Sequence, residues 1–132
     1  ATLLTGGERI KTLVSPAIVC DVDPKSAFAQ DELFGPAIAV SSANGIKEAI
    51  ALANSTVYGL GAGVFTKNVD VAIQSAREID AGIIHINWTP LWRADLMPYG
   101  GVKSSGVGKE GVRSTVSEMT EEKTIILHGR SW

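Results

Sequence analysis

The residue pattern predicts an α/β architecture, a partly parallel sheet with flanking helices, and three features carry that expectation. First, residues 59–66 ("GLGAGVFT") read as a strand, residues 69–79 carry apolar side chains at helical spacing, and "GIIHIN" (82–87) is a continuous apolar strand. A strand, a helix of about a dozen residues and a second buried strand form a βαβ unit, whose strands run parallel. Second, another helical stripe lies upstream at Ile46, Ala49, Ile50 and Ala53. Third, the β-branched runs before it are each bounded by proline or turn-forming residues.

Taken in chain order, "SPAIVCDV" (15–22) opens at a proline and leaves through "DVDPKS", which predicts a strand and its exit turn. "PAIAVSS" (36–42) is the next strand. The stripe at 46, 49, 50 and 53 predicts a helix from Gly45 to Asn54, with Asn44 or Gly45 as its cap. In the 59–66 strand the glycines imply close approach of another backbone. Val69, Ala72, Ile73, Ala76 and Ile79 mark the following helix, which Gly82 is expected to end in a left-handed conformation. After Asn87 comes "WTPLWRADLMPYGGVKSSGVG", a long irregular stretch of the kind that is usually functional. A helix from about Lys109 to Met119 and a terminal strand at "EKTIILH" (122–128) close the reading.

Composition narrows the partners. The 132 residues include twelve basic and fourteen acidic side chains and carry a formal net charge of -2. That balance lacks the basic excess needed to neutralise phosphates, so no nucleic acid partner is expected. No apolar run approaches the roughly 20 residues that span a bilayer, so no membrane association is expected. With 45% hydrophobic residues there is material for one core, and Cys20, the single cysteine, has no disulfide partner within the chain. The first residues lack the charged-then-apolar pattern of a secretory signal. A reducing, cytoplasmic setting is the expectation.

"MPYGGVKSSGVGKEG" (97–111) invites comparison with a phosphate-binding loop. A P-loop requires Gly-Lys followed by serine or threonine, directly after a strand and opening a helix. Here "GVGKEG" places a glutamate after Gly-Lys. The glycines are instead expected to let the loop cross closely over neighbouring backbone, as a wall of a substrate entrance.

Three ordered stretches resemble the C-terminal region of the NAD(P)-dependent aldehyde dehydrogenase superfamily: "DELFGP" (31–36), "NSTVYGLGAGVFTKNVDVA" (54–72), and "AGIIHIN" leading into "MPYGGVKSSGVGKEG". The likeness continues through "SEMTEEKTII" (117–126) and covers about Gly6 to Leu127. The wording of the last two stretches is most similar to the branch acting on lactaldehyde, succinate semialdehyde and glyceraldehyde-phosphate relatives. The resemblance implies an aldehyde-dehydrogenase-like catalytic domain fragment over residues 1–121, with a terminal oligomerisation strand and tail over 122–132. It further implies oxidation of a small aldehyde to the acid, NAD or NADP as cofactor, and a homo-oligomer. In that family a cysteine thiolate, a general-base glutamate and a dinucleotide-binding domain all lie upstream of "DELFGP". None of the three matches any part of this sequence, so no catalytic residue is assigned and the chain alone is expected to be inactive.

The resemblance carries roles to individual positions. Glu32 matches the glutamate that accepts hydrogen bonds from the nicotinamide ribose hydroxyls, a task suited to a carboxylate. Phe34 matches the aromatic beside the nicotinamide ring, and a plain core aromatic is an equal alternative. Asn87 matches a position near the active-site entrance, although a turn-forming role would also place asparagine there. Trp88, Trp92 and Tyr99 would wall an aldehyde pocket, since such pockets are mostly apolar. Arg93 would bind a carboxylate or phosphate at the far end of the substrate through its planar donors, unless it is simply a solvated surface arginine.

Two further residues are assigned structural roles. Cys20 sits within an apolar strand with no histidine or basic cluster beside it in sequence to form a thiolate, so it is a structural cysteine. His85 alternates within "GIIHIN", lacks partners at metal-ligand spacing, and reads as a satisfied core or interface histidine. No metal site is expected. The rival to the dehydrogenase reading is a non-enzymatic α/β module for self-assembly or protein binding, which the terminal strand and the incomplete reactive constellation favour.

Overall fold

Residues 1–129 are described by a computed structural model. Apolar and β-branched residues near the N-terminus form β1 (Thr2–Thr5), β4 (Ala17–Cys20) and β5 (Ala37–Val40), with the short hairpin of β2 (Arg9–Ile10) and β3 (Leu13–Val14) between the first two. β1 lies antiparallel to β4, and β4 parallel to β5 in the register Ala17 to Ala37 through Cys20 to Val40. A single turn of helix, α1 (Ala27–Gln30), separates β4 from β5.

The predicted βαβ unit is present. β7 (Gly61–Val64) and β8 (Ile83–Ile86) pair in parallel, and α3 (Val69–Glu78) connects them. Asn68 caps α3 by accepting hydrogen bonds from the amides of Asp70 at 2.8 Å and Val71 at 3.3 Å. Asp70 in the first turn and Arg77 in the last complement the helix dipole. α2 (Ile46–Ala53) begins at Gly45, whose φ of 96° is open to glycine. The remaining elements are β6 (Tyr58–Gly59), which pairs antiparallel with β9 (Val102–Lys103), and α4 (Val112–Glu118).

Four expectations are corrected. The α3 stripe is rotated: Val71, Ala72, Ser75 and Ile79 turn inward, whereas Val69 and Ile73 are 69% and 48% exposed. The sequence pattern sums two apolar faces of this helix, and only one of them packs within the chain. Gly82 is not left-handed. Ile79, in extended conformation, ends α3, and Gly82 is needed because a Cβ there would fall on the carbonyl of Gly100. Residues 122–128, for which the sequence predicts a strand, form none among the described residues. Ile125, Ile126 and Leu127 accordingly stand 70–90% exposed, and the last three residues of the predicted tail lie outside the described residues.

The fourth correction concerns the core. Ile50 is the one hydrophobic side chain fully enclosed among the described residues, at 6% exposure. The chain presents 10707 Å² of accessible surface, against about 6,700 Å² for a self-contained protein of its 13.9 kDa mass. The surplus of roughly 4,000 Å² marks faces shaped to pack against more protein. No helix among the described residues is long and apolar enough to cross a membrane.

Candidate functional site

The parallel pair β7–β8 fixes where the irregular segment begins. At the carboxyl end of β8, Asn87 takes φ of 58° and ends the strand. Its amide donates to the carbonyl of Val64 at 2.7 Å, and its side-chain oxygen accepts from the amide of Thr66 at 2.8 Å. Asn87 therefore ties both strand ends together, while Phe65, Thr66 and Lys67 border an open cleft beside it. Carboxyl ends of parallel strands are where α/β sheets place their sites.

From there the chain doubles back over β7. The glycine spacing of "GLGAGVF" permits this, since a Cβ on Gly63 would lie 2.7 Å from the carbonyl of Trp88 and 3.0 Å from Pro90. Trp88 and Trp92 are both exposed, and Trp92 sets its ring edge-on to His85, with centroids 6.0 Å apart and planes at 86°. His85 is half-buried, but its Nε2 is enclosed and without a hydrogen-bond partner, so the expectation of a satisfied histidine is corrected. Strand alternation put the ring on the Trp92 side, where no acceptor reaches it.

Arg93 lies over the ring of Tyr99, its guanidinium carbon 4.5 Å from the ring centre, and its Nη1 is 3.1 Å from the Glu110 carboxylate. Tyr99 and Glu110 also exchange backbone hydrogen bonds, at 3.0 and 2.6 Å. These contacts join the start of the irregular segment to its end. A cleft of about 290 Å³ results, bordered by Leu60, Ile83, Pro90 and Leu91 together with Arg93 and Tyr99. It combines an apolar wall with one cationic group, the composition that orients a small polar molecule.

Glu110 is the member of this cluster that sequence reasoning missed. In sequence it appears only as the residue that spoils a Gly-Lys-Ser match, and nothing local links it to Arg93 seventeen positions upstream. The pairing arises from the Tyr99–Glu110 bridge, a long-range contact with no periodic signature.

Both lysines of the glycine-rich stretch are committed to backbone. Lys109 Nζ donates to the Gly100 carbonyl at 2.7 Å. Lys103 Nζ donates to the carbonyls of Asn54 at 3.1 Å and Thr56 at 3.3 Å, and lies 3.7 Å from the Asp80 carboxylate. They pin the loop's turns to the neighbouring backbone.

Glu32 and Phe34 lie apart from this cluster, in the exposed loop 31–36 that enters β5, where Phe34 is 94% exposed. A carboxylate so placed is open to hydroxyl donors and an aromatic face is open to a flat ring. Cys20 is half-buried at the end of β4. Its Sγ donates to the Asp21 carboxylate at 3.3 Å, and that hydrogen bond, aided by desolvation and the negative charge, holds the thiol above its ordinary pKa. The environment is the opposite of one that generates a thiolate. Among the described residues there is no cluster of three metal-ligating side chains.

Residues 1–125 match the model of the aldehyde dehydrogenase family. The chain is 44% identical over 126 residues to a lactaldehyde dehydrogenase of Methanococcus maripaludis, an alignment covering 96% of this chain and 27% of that protein. Among solved structures it is similar to a glyceraldehyde-3-phosphate dehydrogenase of Methanocaldococcus jannaschii complexed with NADP. There the TM-score is 0.85 and the identity 40%, over 96% of this chain and 27% of that one. An aldehyde dehydrogenase of Mycobacterium tuberculosis complexed with NAD+ superposes with TM-score 0.86 at 35% identity, over 99% of this chain and 28% of that one. The chain thus spans about a quarter of the length of the proteins it matches.

Proposed function

This chain belongs to the aldehyde dehydrogenase family, and from that premise we propose that it forms the C-terminal part of an enzyme oxidising a small aldehyde to its carboxylic acid with NAD or NADP. The observation that carries the reading is the cleft at the amino end of β7 and β8, where the irregular segment doubles back, apolar on one side and faced by Arg93 on the other. NAD(P)+, when bound, supplies the hydride acceptor. The Glu32 carboxylate accepts hydrogen bonds from the ribose hydroxyls on the nicotinamide side, and Phe34 offers its face to limit motion of the ring. Asn87, Trp88, Trp92 and Tyr99 wall the substrate entrance and restrict water, and Arg93 holds an anionic group at the far end of the aldehyde. The nucleophile and general base are supplied from outside these residues, consistent with the protonated state favoured at Cys20.

Residues 122–132 serve subunit contact in the same reading. The exposed, unpaired run Ile125 to Leu127 is suited to extending a sheet of a second subunit. That run is also the observation that favours the second reading, a non-enzymatic assembly module.

Glu32→Ala in the complete enzyme should separate the two. Loss of charge-assisted hydrogen bonds to the ribose should raise KM for NAD(P)+ about tenfold or more. KM for the aldehyde should change less than about twofold. Unchanged cofactor kinetics would remove Glu32 from the cofactor site.

A further inference from the structure

Building on the proposed role of Arg93 as an anion-binding residue, we infer that Glu110 is a resident carboxylate that occupies Arg93 until an anionic substrate displaces it. Three observations point to this exchange. The Glu110 carboxylate sits 3.1 Å from Nη1 of Arg93, where an incoming carboxylate or phosphate would bind. Both side chains remain open to solvent, at 42% and 67% exposure, so Glu110 can swing into water without being stranded. The arginine would keep its place during the exchange, because the Tyr99 ring under its guanidinium is 4.5 Å away and independent of the carboxylate.

The backbone explains why Glu110 stays close enough to compete. Reciprocal hydrogen bonds with Tyr99 fix its Cα beside the cleft, so its carboxylate returns whenever the site empties. Charge balances in both states, since one anion replaces another on the guanidinium. An anionic aldehyde therefore binds against an internal competitor, and a neutral aldehyde, unable to displace it, finds the arginine already neutralised. An exposed pair is a weak competitor, which limits the effect to about two- to fivefold in affinity.

Equilibrium binding of succinate, with butyrate as the ligand lacking the second carboxylate, tests the exchange by calorimetry on the complete enzyme without depending on turnover. In Glu110→Gln the Kd for succinate should fall about two- to fivefold while that for butyrate stays unchanged. Arg93→Ala should weaken succinate about tenfold or more, and the double variant should behave as Arg93→Ala alone. If Arg93→Ala weakens succinate but Glu110→Gln leaves it unchanged or weaker, the competitor role fails and the anion site stands. Equal shifts for succinate and butyrate in Glu110→Gln would assign that residue a merely structural role. Unchanged succinate binding in Arg93→Ala would overturn the anion site and the competitor together.

Discussion

Arg93→Ala in the complete enzyme should raise KM for an aldehyde bearing a carboxylate or phosphate by about tenfold or more, and leave KM for a neutral aldehyde within about twofold. The guanidinium is positioned by stacking on Tyr99 and borders the cleft, so its removal takes away a charge-assisted contact without emptying a packed core. A far-end contact made equally in ground and transition states changes KM more than kcat. Arg93→Lys should recover part of the loss, because a point charge remains but the planar fork and the ring stacking do not. Equal effects of Arg93→Ala on anionic and neutral aldehydes would show that the arginine is a surface residue.

The second large effect is structural. Gly82→Ala should destabilise the protein by about 3 kcal/mol, the upper end of what overpacking usually costs. The start of β8 and the loop at Gly100 cross backbone to backbone, and a methyl group at Gly82 would occupy the place of the Gly100 carbonyl, which is also the acceptor for Lys109. Neither backbone can yield without releasing the loop that carries Tyr99. Gly129→Ala is the control, because a Cβ there meets nothing within 4 Å. Thermal unfolding midpoints of the two variants should differ by several degrees; a Gly82→Ala protein as stable as Gly129→Ala would mean the crossing is loose.

The parts of the fold legible in sequence are those with repeating local signals. α2 and α3 announce themselves by apolar spacing, β8, β4 and β5 by β-branched runs and β7 by glycine-spaced apolar residues, so the βαβ unit can be placed within a residue or two at its ends. Strands of two residues, such as β2, β3 and β9, have no period to detect and exist only because distant backbone pairs with them. The terminal run 122–128 shows the converse: its strand-like composition is real, but it pairs with no strand among the described residues. The buried face of α3 is not legible in the sequence for a related reason. Val69 and Ile73 belong to an apolar face that stays exposed among the described residues, and periodicity alone cannot assign a face to a neighbour.

The site divides along the same line. Asn87, Trp92, Arg93 and Tyr99 could be proposed from one continuous segment, and the structure sets Arg93 on Tyr99 and Trp92 on His85. Glu110 could not, since its link to Arg93 passes through a backbone bridge. Glu32 and Phe34 are exposed and far in sequence from that segment. Their assignment rests on the family's pattern at "DELFGP", not on a contact within this chain.

The central claim is that this chain contributes cofactor and substrate contacts while the nucleophile lies elsewhere, and it is tested most directly by measuring reduced-cofactor formation. The chain would be supplied with NAD+ or NADP+ and a panel of small anionic and neutral aldehydes, alongside its Cys20→Ser variant. With Asp21 keeping the Cys20 thiol protonated, neither protein should form reduced cofactor. Turnover by the parent chain that vanishes in Cys20→Ser would contradict the account and make Cys20 the nucleophile.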